Sequence, residues 1–306
     1  MKKKLLMLSS SFAVIALAGC GGGGGGGTAT NSATPVPVPS TLQAAGTTKT
    51  YDVNSAVGLV QNQAFIQERI DQAGGGSTIT ATTDASGNLS TLSFSILTNG
   101  STVNQTYQNF ALLSPNLFNL NTLTQGFNNP NNNTNYAFVS MLINSTNTLS
   151  YTAYGLWGSA NGGNTNVGTL SAGVPTTAMP ISGTATFNGT TLGSATETLS
   201  YFPRTSTPMA LWGNIQLVAN FSSRIISTNI SNIQTQSINN SVIGTLSNIN
   251  GSATISGNQY LGTLSGGGLS GTQVGSFYGP NAVETGGTWK VSGGGVTAIG
   301  SYGAKQ

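Results

Sequence analysis

Gly275-Ser-Phe-Tyr-Gly-Pro-Asn-Ala-Val-Glu-Thr-Gly-Gly-Thr-Trp-Lys-Val-Ser-Gly-Gly-Gly-Val-Thr-Ala-Ile-Gly-Ser-Tyr-Gly-Ala-Lys-Gln306 reads as three short strands joined by turns. At its start Val274, Ser276 and Tyr278 point one way, and Gly275 and Phe277 the other. Gly279-Pro280-Asn281 stops that run, because proline fixes φ and cannot donate to a ladder. Glu284 to Val291 restarts the chain around Gly286-Gly287, and Val296 to Tyr302 closes it. Glycine at these points permits the bulges and sharp corners that a small closed barrel needs.

Working upstream, short alternating runs recur from Ile181 onward: Gly183 to Phe187, Glu197 to Tyr201, Asn214 to Phe221, Ile225 to Ile230, Gly251 to Ser256 and Gln259 to Leu264. With Gln273 to Tyr278, Thr285 to Val291 and Val296 to Tyr302 they make nine candidates. Ile215, Leu217, Ala219 and Phe221 form the clearest inward face. About eight strands enclose an interior just wide enough for side chains, so a packed barrel is expected, with one run a loop or a bulged continuation. A membrane-spanning barrel would need strands of about nine to eleven residues with outward apolar bands. These runs are mostly shorter and neutral-polar, which favours a soluble eight-stranded antiparallel barrel.

Phe277-Tyr-Gly-Pro-Asn-Ala-x-Glu-x-Gly-Gly-x-Trp289 followed by Gly300-Ser-Tyr-Gly-Ala-Lys-Gln306 resembles the terminal signature of the transferrin-binding protein B type of β-barrel. Tyr302 stands where phenylalanine is commoner in that signature. Met179-Pro-Ile-Ser-Gly-Thr-Ala-Thr-Phe-Asn-Gly189 resembles the barrel's opening strand, and Gly213-Asn-Ile-Gln-Leu-Val-Ala-Asn-Phe221 a second one. The resemblance covers residues 178–306 and, more weakly, the stretch before it. It implies a handle domain joined to a barrel, display on the outer membrane of a Gram-negative bacterium, and capture of host iron or haem carriers for a partner transporter. Transferrin-binding protein B repeats handle and barrel twice, whereas this chain has length for one such lobe and resembles the smaller single-lobe relatives.

The start of the chain indicates where it works. Lys2, Lys3 and Lys4 precede an apolar run from Leu5 to Ala18, a secretory leader rather than a span. Leu17-Ala18-Gly19-Cys20 is a bacterial lipobox, so residues 1–19 are expected to be removed and Cys20 to carry the lipid that binds the outer membrane. Cys20 is the sole cysteine, which excludes any disulfide, redox pair or cysteine metal cluster within one chain. Residues 20–49, with seven glycines at 21–27 and Pro35-Val-Pro-Val-Pro39, read as a tether. As a flexible coil, the stretch from Gly21 to Thr48 spans about 30 Å root-mean-square.

Residues 50–175 form the expected handle domain. Val53 to Ala73 is read as its one helix, since Val57, Val60, Ala64, Ile66, Ile70 and Ala73 follow three-and-four spacing and Gly74-Gly75-Gly76 stops it. Glu68 and Asp71 at its polar end could share a cation or act as acid and base, against the commoner case of a solvated charged face. Antiparallel strands are predicted over Ser77–Thr83, Asn88–Leu97, Thr106–Leu113, Tyr136–Ile143 and Leu149–Trp157, with a hairpin turn at Ala85–Asn88. The Asn-rich stretch 128–135 reads as an exposed loop, with Asn131, Asn132 and Asn133 as candidate ligand contacts. Tyr154 and Trp157 either anchor a partner from an exposed strand or pack in the core. Asn161 to Val174 is read as a connector, and Arg204 in the 203–209 loop is the remaining candidate contact.

Composition narrows the chemistry. The whole chain has nine basic and six acidic residues, but three of the lysines leave with the leader, so six face six. The remaining cations are dispersed, which argues against nucleic acid as a partner. No histidine occurs anywhere, which removes the usual general base and the commonest zinc, copper and haem ligand. No nucleophile elbow or phosphate-cradling loop is present either. A non-enzymatic protein without cofactor or metal is therefore expected; haem could be held only through tyrosine or within a bound haem protein. Two functions stay open: capture of a host iron or haem carrier, served by a transporter and a surface-lipoprotein translocator, or adhesion and host colonisation with no transport role.

Overall fold

Thr-Ile-Thr-Ala-Thr-Thr over 78–83 buries Ile79, Ala81 and Thr83 and leaves Thr78, Thr80 and Thr82 half-exposed, the period of two that marks a strand with one face on a core. The computed structural model describes residues 37–61, 64–112, 123–128, 137–142, 149–161, 164–197, 209–236 and 242–306. Its first ten strands are β1 (Thr48–Asp52), β2 (Asn54–Gln61), β3 (Ala64–Asp71), β4 (Thr78–Thr83), β5 (Leu89–Leu97), β6 (Thr102–Leu112), β7 (Leu123–Asn128), β8 (Ala137–Leu142), β9 (Thr152–Asn161) and β10 (Asn164–Gly173). They form one antiparallel sheet in the order β1-β4-β5-β6-β7-β8-β9-β10-β2-β3.

That sheet curls so that its two flanks share a core. Ile79, Leu92, Phe94, Ile96 and Tyr107 on one flank meet Val57, Trp157, Leu170 and Ala172 on the other. Phe94 sits between Tyr107 and Trp157, at centroid separations of 5.1 and 6.4 Å. Residues 37–47 strap the end of this core: Leu42 and Gln43 are buried, and Gln43 Nε2 donates to the carbonyls of Thr47 and Ala81. The Tyr51 hydroxyl donates to the Leu42 carbonyl. At the expected hairpin, Asp84 Oδ1 accepts the N–H groups of Asn88 and Ser86, and Gly87 takes φ 82°. Those backbone donors, Asn88 first, hold the Asp84 carboxyl below its ordinary range.

The helix predicted over Val53–Ala73 is absent: that stretch is the β2–β3 hairpin, and no described residue lies in an α-helix. The physical reason is burial on both faces. Val53 and Val57 enter the sheet's own core, while Ala56, Val60 and Phe65 pack toward the second domain. A strand covered on both sides loses its alternation, and a continuous apolar run mimics a helical period. Asn161–Val174, read as a connector, holds β10, which lies between β9 and β2. Its Gly168 lies where an added Cβ would come within 2.4 Å of the Trp157 indole.

The second domain comprises β11 (Thr184–Glu197), β12 (Met209–Asn220), β13 (Ile225–Gln236), β14 (Val242–Leu246), β15 (Ile249–Ser256), β16 (Gln259–Gly266), β17 (Leu269–Tyr278), β18 (Glu284–Gly293) and β19 (Val296–Lys305). Eight of them close into an antiparallel barrel, because β12 pairs β13 and β11 pairs β19, with β14 a flap on β13. The strands are longer than the sequence runs: β11 continues through Gly189 and Gly193, where an added Cβ would lie 2.0 Å from a carbonyl of β19. Of the predicted run Glu197–Tyr201, Glu197 ends β11 and 198–201 fall outside the described residues.

Side chains fill the barrel. Phe277 is ringed by Phe187, Phe221 and Tyr260 at 5.7, 5.7 and 5.3 Å. Trp289 and Tyr302 are wholly buried, and Trp289 Nε1 donates to Thr191 Oγ1. The outer wall is polar where Asn188 meets Gln216 and Asn229 meets Asn250. Apolar inside and polar outside is the reverse of a barrel wall that faces lipid.

Candidate functional site

Chemistry-bearing groups are sparse, and the fold disperses them. Glu68 and Asp71 fall on opposite faces of β3, so they do not share a cation: Glu68 lies 4.0 Å from Lys290 of the barrel, while Asp71 holds the guanidinium of Arg69. The earlier pairing assumed a helix, which would have put both on one side. Among the described residues no three metal-ligating side chains gather.

The expected lipidation site Cys20 and the candidate contacts Asn131, Asn132, Asn133 and Arg204 lie outside the described residues. Tyr154 and Trp157 are described and are buried. Trp157 belongs to the first domain's core, and Tyr154 faces the barrel, its hydroxyl bonded to Thr190 Oγ1. Neither ring reaches solvent, so of the two readings of this cluster packing is the one realised, and a solvent-facing anchor is excluded.

The residues that organise the molecule are those of the terminal stretch, and they build the joint between the domains. Along β18 and β19 alternate positions point into the barrel (Thr285, Trp289, Ala298, Tyr302, Ala304) or outward onto β2, β9 and β10 (Glu284, Gly286, Ile299, Ser301, Gly303). Glu284 is 4% exposed, and its two oxygens accept the backbone N–H groups of Ser150 (2.6 Å) and Tyr151 (3.0 Å). Gly286 faces Ser171 and Thr152, and Gly303 faces Leu149 and Tyr154, with added Cβ atoms at 2.5 to 2.8 Å from those side chains. Small residues let the two sheets touch. Ser301 Oγ donates to the Gly155 carbonyl.

Gly279, at φ 73°, lies where a Cβ would strike the Tyr151 ring, and its carbonyl accepts Thr176 Oγ1. Asn281 and Ala282 also have positive φ, a conformation that costs a non-glycine residue roughly 1–2 kcal/mol. The Gln306 amides hold that turn, donating to the carbonyls of Ala282 and Val283. On the other side of the joint, Asn54 Nδ2 donates to Ser276 Oγ and the Tyr278 hydroxyl, and its Oδ1 accepts the Ala73 N–H. Gln72 and Gln259 make reciprocal amide bonds to the carbonyls of Tyr260 and Ala73. Sequence reading missed Asn54, Gln72, Gln259 and Ser276, because a polar residue in a strand carries no local sign of a partner in another domain.

Replacing Glu284 by alanine is expected to destabilise the fold by about 3 kcal/mol, since two charge-assisted bonds are lost and two part-buried donors are left unpaired. The urea midpoint should fall and proteolysis near Ser150 should accelerate. A midpoint unchanged from wild type would show that the carboxylate contributes nothing to the joint.

Transferrin-binding protein B from Actinobacillus pleuropneumoniae, as a mutant vaccine antigen, is 14% identical at a TM-score of 0.43, over 83% of this chain and 99% of that one. The isotype 1 protein from serogroup B Neisseria meningitidis is 15% identical at 0.35, over 85% and 77%. The haemoglobin receptor HpuA from Kingella denitrificans is 13% identical at 0.39, over 82% and 87%. No curated protein matches the chain. Residues 179–306 match the family model described as the C-lobe and N-lobe β-barrels of Tf-binding protein B. That span holds the closed barrel and the whole terminal stretch that joins it to the first domain, so it is the barrel part of this chain that is similar to the β-barrels of Tf-binding protein B.

Proposed function

We propose that the protein is a non-enzymatic lipoprotein, anchored through acylated Cys20 to the outer membrane of a Gram-negative bacterium and displayed at the surface, where it binds a host protein that carries iron or haem. In this reading a partner transporter takes up the nutrient, and a surface-lipoprotein translocator delivers the chain. The match of residues 179–306 to the Tf-binding protein B β-barrels is the observation that supports it. The filled barrel adds a physical constraint: with Trp289, Tyr260, Tyr302 and Phe277 wholly buried inside, a ligand must be met by the exterior and the strand ends. The 128–135 and 203–209 loops, with Asn131, Asn132, Asn133 and Arg204, remain the proposed contacts.

The test is retention of transferrin, lactoferrin or haemoglobin from host serum and lysed blood by the detergent-solubilised full chain, with an absorbance scan for a Soret band. One saturable carrier is the expected result. Retention of none of the three would remove the iron-capture reading.

Adhesion is the second reading, favoured by one observation. The outer face of β1, β4, β5 and β6 is an array of hydroxyls and amides, with cross-strand pairs Thr48–Thr82, Thr50–Thr80 and Ser93–Thr106 at 2.9, 2.8 and 3.0 Å. Asp52 is the one carboxylate on that face among the described residues. Host-cell binding that persists in a strain lacking every candidate transporter would favour it.

A further inference from the structure

At the end of β5 remote from the strap, three strands set an amide, an aliphatic and an amide side by side. Asn166 of β10 pairs with Leu59 of β2, which pairs with Gln67 of β3. The β5–β6 turn faces this row with Thr98, Asn99 and Ser101, and Val57 lies beneath; together they line a cleft of about 140 Å³. The turn is held in shape, because the Thr98 N–H donates to the Ser101 carbonyl (2.8 Å) and the two hydroxyls are 2.9 Å apart. By contrast, the side-chain amides of Gln67, Asn99 and Asn166 have no partner among the described residues.

Among the described residues no charged side chain lines the cleft. Arg69, the next residue on the Gln67 face, is tied through two nitrogens to both oxygens of Asp71. We propose that this cleft binds one neutral sugar residue of a glycan, a hexose or N-acetylhexosamine. Each of these amides offers donors and an acceptor at fixed spacing, the complement of adjacent sugar hydroxyls. Val57 and Leu59 supply an apolar floor for the C–H face of the ring, the combination of apolar lining and few convergent polar groups that small-molecule sites use. An anionic sugar would bury its charge without a partner, which is costly. Whether the protein also captures an iron carrier is a separate matter, since the cleft recognises the sugar by itself.

The test is binding of the detergent-solubilised full chain to an array of neutral and sialylated glycans, followed by calorimetry with the free neutral sugars. Neutral glycans should be retained, and Asn166→Ala and Gln67→Ala should each weaken binding about tenfold, the loss of roughly one well-made pair of hydrogen bonds. Thr263→Ala, at an exposed position of β16 on the barrel's outer wall, should leave binding unchanged. Thermal unfolding of each variant checks the fold, and Asn99→Ala, in the exposed turn, gives the same readout if a strand variant fails to fold. Retention of no neutral glycan, preference for sialylated ones, or binding indifferent to all three amide substitutions would overturn the proposal.

Discussion

Above about pH 10 the protein is expected to lose stability steeply and to unfold within a few pH units, a response set by its buried tyrosines. Of nine tyrosines in the sequence, Tyr51, Tyr107, Tyr154, Tyr260, Tyr278 and Tyr302 have hydroxyls that burial pushes above the ordinary value of 10.0. Tyr51, the most accessible of them, is raised to about 12. Inside the barrel, Tyr260 and Tyr302 bond to each other at 2.7 Å, and Tyr260 also bonds Thr285 at 2.8 Å, so both rings must stay neutral to keep that network dry. The sign follows from linkage. Each folded pKa lies above its unfolded value, so the stabilisation is complete below pH 10 and is lost as pH rises toward and past the folded pKa.

Each such tyrosine steepens the fall by up to about 1.4 kcal/mol per pH unit, and six together can consume a stability of about 5–15 kcal/mol within two or three units. Around neutrality the curve should be flat, because the sequence contains no histidine. The measurement is the urea midpoint against pH, with the near-ultraviolet tyrosinate band recorded on the same samples. Unfolding and tyrosinate formation should coincide. Gradual ionisation of six tyrosines in a protein that stays folded would show that water reaches the interior.

Trp289→Ala is expected to cost about 3–5 kcal/mol, the range for removing a buried aromatic side chain from a well-packed core. Trp289 is 0% exposed, and its indole lies over Gly300, whose missing Cβ would fall 2.3 Å from the ring. Its Nε1 donates to Thr191 Oγ1 at 2.9 Å, and that hydroxyl donates onward to the Ser301 carbonyl at 2.8 Å. Truncation therefore opens a void and leaves a polar group facing it. Gly300→Ala alone should also destabilise, by about 1–3 kcal/mol through overpacking. Because the two positions share one volume, the double variant should be less damaging than the separate effects combined. Urea denaturation of the four proteins measures this, and strict additivity would refute the shared-volume account.

Legibility differed by position for physical reasons. The barrel's later strands were readable because one face of each is buried and the other wet, so Ile215, Leu217, Ala219 and Phe221 alternate with polar neighbours. Their true lengths were not, since Gly189 and Gly193 interrupt the pattern at points where β19 passes too close for a Cβ. Tyr154 and Trp157 could be recognised as an aromatic cluster, but only packing against Thr190 and Phe94 decides that they are interior. The cleft residues Asn99 and Asn166 are far apart in the chain and carry no motif.

By itself the sequence determined an antiparallel, β-rich chain with a closed terminal barrel, and chemistry without histidine or cysteine pairs, because alternation, turn residues and composition are local properties. Only the tertiary structure decided that Val53–Ala73 is a hairpin and that Asn161–Val174 carries an interior strand, since both are sandwiched between the first domain's core and the barrel. It likewise decided what Glu284, Gly286 and Gly303 are for: their partners lie more than a hundred residues away, at contacts that no spacing within the terminal stretch records.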